Sequence, residues 1–364
     1  MAIPLIDLYA QYRAIKDEID DAMQSVIRDS AFIGGPYLQS FEEAFAAYCN
    51  LPFGVGTSSG TTALHLVFAA LGIGPGDEII TVPNTFIATV ETIVQTGAKP
   101  VFVDVCDDTL NIDPAKLADA ITPNTRAIVS VHLYGQLAEM DAIREVAGSI
   151  PIVEDAAQAH GAEYKKKRAG HFGVAATFSF FPGKILGAFG DAGMVVTKDK
   201  DLANKMKMLA NHGRLDKYVH QMAGYNYRFD PLQAAILNVK LNYLDDWLKK
   251  RRAHARLYNQ LFAEYDAIKT PVERDHNLHV HTYYVIRTSK RDAVMQKLHN
   301  HEIDAIIHYP IPLHLQPAFS DLGYRSGDFP IAEQSATEIL SLPLYPELEP
   351  NQIEYIAEQV LSAI

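Results

Sequence analysis

Six short apolar runs recur along the first two thirds of the chain, each followed by a stretch of helical length, and this alternation constrains the fold more than any other feature. The runs are EIITV (78–82), KPVFVDV (99–105), RAIVSVHLY (126–134), PIVEDA (151–156), AATFSFF (175–181) and GMVVT (193–197). They are apolar enough to be covered on both faces, the pattern of a largely parallel sheet wrapped by helices. The expected class is α/β. From Pro231 the positions Leu232, Ile236, Val239, Tyr243 and Trp247 recur at spacings of three and four, which predicts one long connecting helix. Beyond it the pattern predicts a strand over 279–288, a helix over 290–301, a second strand over 303–309, a Pro-rich loop over 310–317 and a closing helix through Ile353, Ile356, Val360 and Leu361. We therefore expect a large domain over 1–240 and a smaller α+β domain over 241–364. A length of 364 residues suits that division.

Charge and cysteine content narrow the function. Thirty-two basic residues against 44 acidic ones leave a net charge of −12, which repels phosphate backbones and anionic lipid. No nucleic-acid or membrane partner is expected. Cys49 and Cys106 are too few for a disulfide framework and lack zinc-site spacing, so a reducing compartment is expected. The first residues carry no leader pattern and no run of about 18 apolar residues occurs, which together predict a soluble, cytoplasmic protein.

Three segments carry candidate chemistry. In 54–74 a turn rich in Gly, Ser and Thr opens an apolar helix, and exposed amides at such a start suit a phosphate group, although an ordinary capped helix explains the segment equally well. In PIVEDAAQAHGAEY an apolar strand delivers Glu154, Asp155, Gln158 and His160 to its carboxyl end, where open α/β sheets bind ligands. A carboxylate buried there needs a cationic or donor partner, and an N-cap aspartate is the plainer alternative. Lys184 lies in a Gly- and Pro-flexed turn among Phe178, Phe180, Phe181, Ile185 and Phe189. Desolvation there would lower its pKa until the free amine attacks a carbonyl; taken alone, a surface lysine is the commoner case. Together the three match what pyridoxal 5'-phosphate demands: a phosphate anchor, an anion for the ring nitrogen and an amine for the aldehyde.

The chain resembles the sugar aminotransferases of the DegT/DnrJ/EryC1/StrS group, within the fold type I pyridoxal phosphate enzymes. The resemblance runs through GTSSGTTAL (56–64), PNTFIAT (83–89), PVFVDV (100–105), HLYGQ (132–136), VEDAAQAHGA (153–162), FSFFPGK (178–184), GDAGM (190–194), NHGR (211–214), GYNYRFDPLQAAIL (224–237), YPIPLHLQPAF (309–319) and LSLPLYP (340–346). It implies a mostly parallel seven-stranded sheet in the large domain. It also implies that Lys184 condenses with the cofactor aldehyde, that Asp155 pairs with the pyridine nitrogen and that Gln158 bonds the ring hydroxyl. Phe86 falls where the family stacks an aromatic ring on the cofactor. Ser59, Gly60, Thr61, Thr62 and Ser179 fall on phosphate-binding positions. Asn226 matches a position that reaches the phosphate from the neighbouring subunit, which implies a homodimer with shared active sites. Arg228, Tyr309 and His314 lie on segments that family members turn toward substrate.

By the same resemblance the donor is L-glutamate, and the cofactor alternates with pyridoxamine 5'-phosphate during turnover. The acceptor is a nucleotide-linked keto-sugar, as in the making of deoxyaminosugars for lipopolysaccharide or O-antigen. The sequence FFPGKILGAFGDAG is closer to members acting at carbon 3 than at carbon 4, with departures at Ile185 and Met194. A dTDP-3-keto-6-deoxyhexose is favoured over a UDP-2-acetamido-3-keto sugar. Three rivals remain. A dehydratase of the same fold would have histidine in place of Lys184, a non-catalytic pyridoxal phosphate-binding regulator shares the fold, and a metal hydrolase on His279 and His281 lacks a clear carboxylate ligand, so no metal is expected. Tyr164 to Arg168, with three lysines, is read as a solvated hairpin turn rather than a phosphate patch.

Overall fold

The computed structural model describes residues 2–214 and 216–364. Seven strands form the central sheet, in the spatial order Phe53–Thr57, Gly193–Thr197, Ala175–Ser179, Ile152–Asp155, Thr125–Val131, Glu78–Thr81 and Lys99–Phe102. From Ala175–Ser179 to Lys99–Phe102 every neighbouring pair is parallel. Gly193–Thr197 alone runs against both of its neighbours. All six apolar runs form strands, and Ile79, Ile128, Val129, Val153 and Val195 within them are fully buried. The helix Gly60–Leu71 packs on the strands Ala175–Ser179 and Gly193–Thr197 and on the helix Ile87–Gln95.

The first strand, Phe53–Thr57, lies where the sequence suggested only a turn. Its glycines hide it, since glycine weakens strand propensity. Close packing explains Gly56: a Cβ there would sit 2.7 Å from the Phe229 ring.

Two expectations about the C-terminal part need correction. The helix starting at Pro231 ends at Leu241, and a second helix, Leu244–Phe262, begins after a turn at Asn242 and Tyr243. Asp245 and Asp246 open the second helix, where negative charge favours a new N-terminus. Ile236 and Trp247, on either side of the break, both pack with Ile15 and Ile19. The segment 303–309 forms no strand; Ile303 and Ile306 make single bridges to Ile3 and Ser341. The partner of Tyr284–Arg287 is Ile339–Leu342, antiparallel. The helices Arg291–Asn300 and Pro350–Leu361 lie where expected. Tyr258, Phe262, Tyr284, Ile286, Leu298, Ile353 and Ile356 form a second core, to which the distant Ile3 contributes. Residues 163–168 form the expected hairpin, with Lys165 and Lys166 in left-handed backbone at its tip. Among the described residues no helix is long and apolar enough to cross a membrane.

Candidate active site

The carboxyl ends of three strands meet the starts of the helices Gly60–Leu71 and Ile87–Gln95 around a cavity of about 460 Å³. The strand Ile152–Asp155 brings Asp155, which is 5% exposed, to its last position. Its Oδ2 accepts from the Thr89 hydroxyl at 2.8 Å and its Oδ1 from the Ala157 N–H at 3.2 Å. Burial nonetheless pushes the Asp155 carboxyl above its ordinary range. Glu154, one residue earlier, is fully buried on the other side of the strand. It accepts from His132 Nε2 at 3.0 Å and from the N–H groups of Gly170, Phe172 and Gly173 at 2.8–2.9 Å. Alternation along a strand thus gives adjacent acids different tasks.

Lys184 sits in the link between Ala175–Ser179 and Gly193–Thr197, its N–H donating to the Phe181 carbonyl at 2.8 Å. Burial pulls its amine down to about 8, against the upward pull of Asp155. The mutual attraction of Lys184 and Asp155 is therefore weaker than the desolvation of either, and each moves toward its neutral form. A cation beside Asp155 and a carbonyl beside Lys184 would relieve both. The link is held from outside by Lys240, which donates to the Gly187 carbonyl at 2.7 Å, and by Gln233 Oε1, which accepts from the Phe189 N–H at 2.7 Å.

The third component is the start of the helix Gly60–Leu71. Ser59 caps it, accepting from the Thr62 N–H at 3.1 Å while Thr62 Oγ1 accepts from the Ser59 N–H at 2.9 Å. Gly60 presses on Ser179 so closely that a Cβ would lie 2.7 Å from the Ser179 Cβ. Ser59, Gly60, Thr61 and Ser179 line that corner at the start of the helix, a suitable seat for an anion. Phosphate seat, strand-end acid and desolvated amine around one cavity fit pyridoxal phosphate.

Of the residues singled out in the sequence, Ser59, Gly60, Thr61, Phe86, Asp155, Gln158, Ser179, Lys184 and Tyr309 line this cavity. Phe86 is half exposed at the rim, its ring 5.6 Å from that of Tyr309. Gln158 donates through Nε2 to Tyr309 Oη at 3.3 Å. Thr62 is engaged in the helix cap and lies outside the lining. Asn226 and Arg228 also lie outside it. Asn226 bridges to Asn211, and the Arg228 guanidinium reaches His212 Nε2 at 3.1 Å. His314 is buried away from the cavity, bonded to Glu333 at 3.1 Å and packed on Phe329. His160 is buried among Phe45, Phe178 and Phe180, where desolvation drives its imidazole down to about 3. His279 and His281 stack on each other at 3.8 Å, both buried.

Thr85, Thr89, His132, Phe181, Asp191, Tyr283 and His308 also line the cavity without having been singled out for it. Thr89 follows Phe86 by three residues on one helix face, a spacing the sequence offered. The adjacency of His308 to Tyr309 was a second signal. His308 stacks on Tyr283 at 3.9 Å and bonds Ser341 Oγ at 2.8 Å.

The model of the DegT/DnrJ/EryC1/StrS aminotransferase family matches residues 13–361. A pleiotropic regulatory protein of Geobacillus stearothermophilus is 47% identical, over 99% of this chain and 98% of its own. A dTDP-3-amino-3,4,6-trideoxy-alpha-D-glucose transaminase of Streptomyces venezuelae is 43% identical, over 98% and 95%. A UDP-2-acetamido-2-deoxy-3-oxo-D-glucuronate aminotransferase of Pseudomonas aeruginosa is 41% identical, over 97% and 98%. Among solved structures, S. venezuelae DesV in complex with a ketimine intermediate superposes with a TM-score of 0.97 at 43% identity, covering 99% of this chain and 98% of that one. NtdA of Bacillus subtilis with bound cofactor PMP gives 0.90 at 30% identity, covering 99% and 83%. The architecture is that of the fold type I aminotransferases.

Proposed function

Because the chain belongs to the DegT/DnrJ/EryC1/StrS aminotransferase family, we propose that it is a pyridoxal phosphate-dependent aminotransferase carrying an amino group from L-glutamate to carbon 3 of a nucleotide-linked keto-sugar. The observation that carries this reading is the convergence of Lys184, Asp155 and the Ser59–Thr61 turn on one cavity. Pyridoxal phosphate, when bound, supplies an aldehyde for the donor's amine and a protonated ring that draws electrons from the carbon losing its proton. Lys184 holds the aldehyde until the donor arrives. As a free amine it then moves the proton at the donor's α-carbon. Asp155 keeps the ring nitrogen protonated, with Thr89 holding its carboxylate in place. The Ser59–Thr61 turn and Ser179 hold the phosphate, Phe86 covers the ring, and Gln158 donates to the ring oxygen.

A dTDP-3-keto-6-deoxyhexose is the first acceptor to test and a UDP-2-acetamido-3-keto sugar the second. The relatives from S. venezuelae and P. aeruginosa, named for a dTDP-3-amino and a UDP-3-oxo sugar, support carbon 3 over carbon 4. The protein works as a homodimer of two-domain chains, 1–240 and 241–364, in which Asn226 serves the partner's phosphate site. Asn226 lies outside the cavity of its own chain, which agrees with that role. The name of the 47%-identical relative favours a second reading, a regulator that binds pyridoxal phosphate without turnover. Borohydride reduction of loaded protein followed by peptide mapping should label Lys184, and glutamate should change the cofactor's absorbance. An unlabelled Lys184 overturns the assigned chemistry; labelling with an unchanging spectrum selects the regulator.

A further inference from the structure

Gln158 and Tyr309 reach the cavity from distant parts of the chain, and Tyr134 is bonded to both segments. The Tyr134 N–H lies 2.7 Å from Gln158 Oε1. Its phenolic O–H donates to the carbonyl of His308, the residue before Tyr309. Tyr134 is buried and its backbone is left-handed, at φ +57°. The turn around it is gripped from the C-terminal part of the chain. Thr282 N–H donates to the Tyr134 carbonyl at 2.8 Å, Val280 N–H to the Gly135 carbonyl at 3.0 Å, and Thr282 Oγ1 to the Gln158 carbonyl at 2.6 Å. A Cβ on Gly135 would lie 2.6 Å from Val280 Cγ2, so the turn has no slack.

A backbone N–H only donates, so the end of the Gln158 amide that faces Tyr134 must be its oxygen. The NH2 end then points the other way, where it meets Tyr309 Oη at 3.3 Å. The opposite flip would set two donors against each other. Tyr134 thereby presents Gln158 to the cavity as a donor while its own hydroxyl tethers the backbone that carries Tyr309.

We propose that Tyr134 is a positioning residue that keeps the cofactor-facing amide of Gln158 in register with the substrate-facing segment His308–Tyr309; this rests on the function proposed above. Its two bonds separate chemically. The N–H survives substitution of the side chain, whereas the hydroxyl does not. Tyr134→Phe therefore frees the His308 carbonyl while Gln158 stays oriented, and the nucleotide sugar should feel the loss where glutamate does not.

The test titrates wild type and Tyr134→Phe calorimetrically with a dTDP-linked 3-amino-6-deoxyhexose and a UDP-linked 2-acetamido-3-amino sugar, and follows the glutamate-driven absorbance change in both. We expect Kd for the recognised aminosugar to rise about five- to tenfold, as for the loss of one buried hydrogen bond. The glutamate rate should stay within about twofold, by the same argument, and the cofactor's absorbance before glutamate is added should match that of wild type. An unchanged Kd, or equal losses toward sugar and glutamate, overturns the proposal. Gln158→Glu keeps an acceptor for the Tyr134 N–H and removes the donor, so it should shift the cofactor's absorbance; an unshifted band overturns the assigned amide orientation. If wild type responds to glutamate but binds neither aminosugar, the proposed acceptor falls, and the role of Tyr134 with it.

Discussion

At the scale of single residues, burial governs the chemistry of Lys184 and Asp155 more than their attraction for each other does. An amine lowered to about 8 is about one-tenth neutral at pH 7 and about nine-tenths neutral at pH 9. Only the neutral form attacks an aldehyde. Cofactor-free protein should therefore take up pyridoxal phosphate about tenfold faster at pH 9 than at pH 7, levelling off above pH 9. Stopped-flow absorbance measures this, and a rate still climbing past pH 10 would show an ordinary lysine. Removing the acid should cost more than removing its support. Asp155→Ala should lower turnover at least about a hundredfold, and Thr89→Val, which deletes one hydrogen bond to the carboxylate, about tenfold or less. Equal losses in steady-state assays would mean that Thr89 acts by another route. Lys184 and Asp155 were legible in the sequence because a charged group in apolar, glycine-rich surroundings stands out locally. Tyr283 was not, because its place at the cavity comes from tertiary packing that no local pattern encodes.

At the scale of elements, the site depends on two close fits. Gly60 lets the helix start press on Ser179, so Gly60→Ala should push the phosphate seat open. Affinity for pyridoxal phosphate should fall about tenfold or more, as expected when an overpacked contact costs about 1–3 kcal/mol, and equilibrium dialysis would detect it. Glu154 ties the loop at Gly170–Gly173 to the strand that carries Asp155. Glu154→Ala strands one imidazole and three N–H groups in the interior. Denaturant unfolding should show a loss of about 3–5 kcal/mol, and a loss below about 1 kcal/mol would mean that water replaces the carboxylate. The strands read most clearly were the doubly buried parallel ones. Phe53–Thr57 escaped because its glycines serve packing rather than propensity. The break after Leu241 escaped because the apolar spacing continues across it, both sides packing against the same N-terminal residues, Ile15 and Ile19.

At the scale of the whole molecule, the role proposed for Asn226 in a partner's phosphate site can be tested by mixing chains. Phe32, Ile33, Phe181 and Phe189 are between 41% and 64% exposed in the chain. Pairing Lys184→Ala chains with Asn226→Ala chains puts both lesions in one site of each hybrid dimer and leaves the other site intact. A randomly reassorted mixture of these two inactive or weakened proteins should regain about one quarter of wild-type turnover. No recovery would place Asn226 at its own chain's site. The helices Arg291–Asn300 and Pro350–Leu361 could be read from the pattern along the chain, but the pairing of Ile3 with Ile303 could not, since it joins opposite ends of the sequence. The single reversed strand, Gly193–Thr197, has a further consequence. Because the chain re-enters the sheet beside the strand it has just left, the amine at 184 travels on a short leash anchored at both ends. In the proposed chemistry that tether would keep the freed amine beside the carbon whose proton it moves.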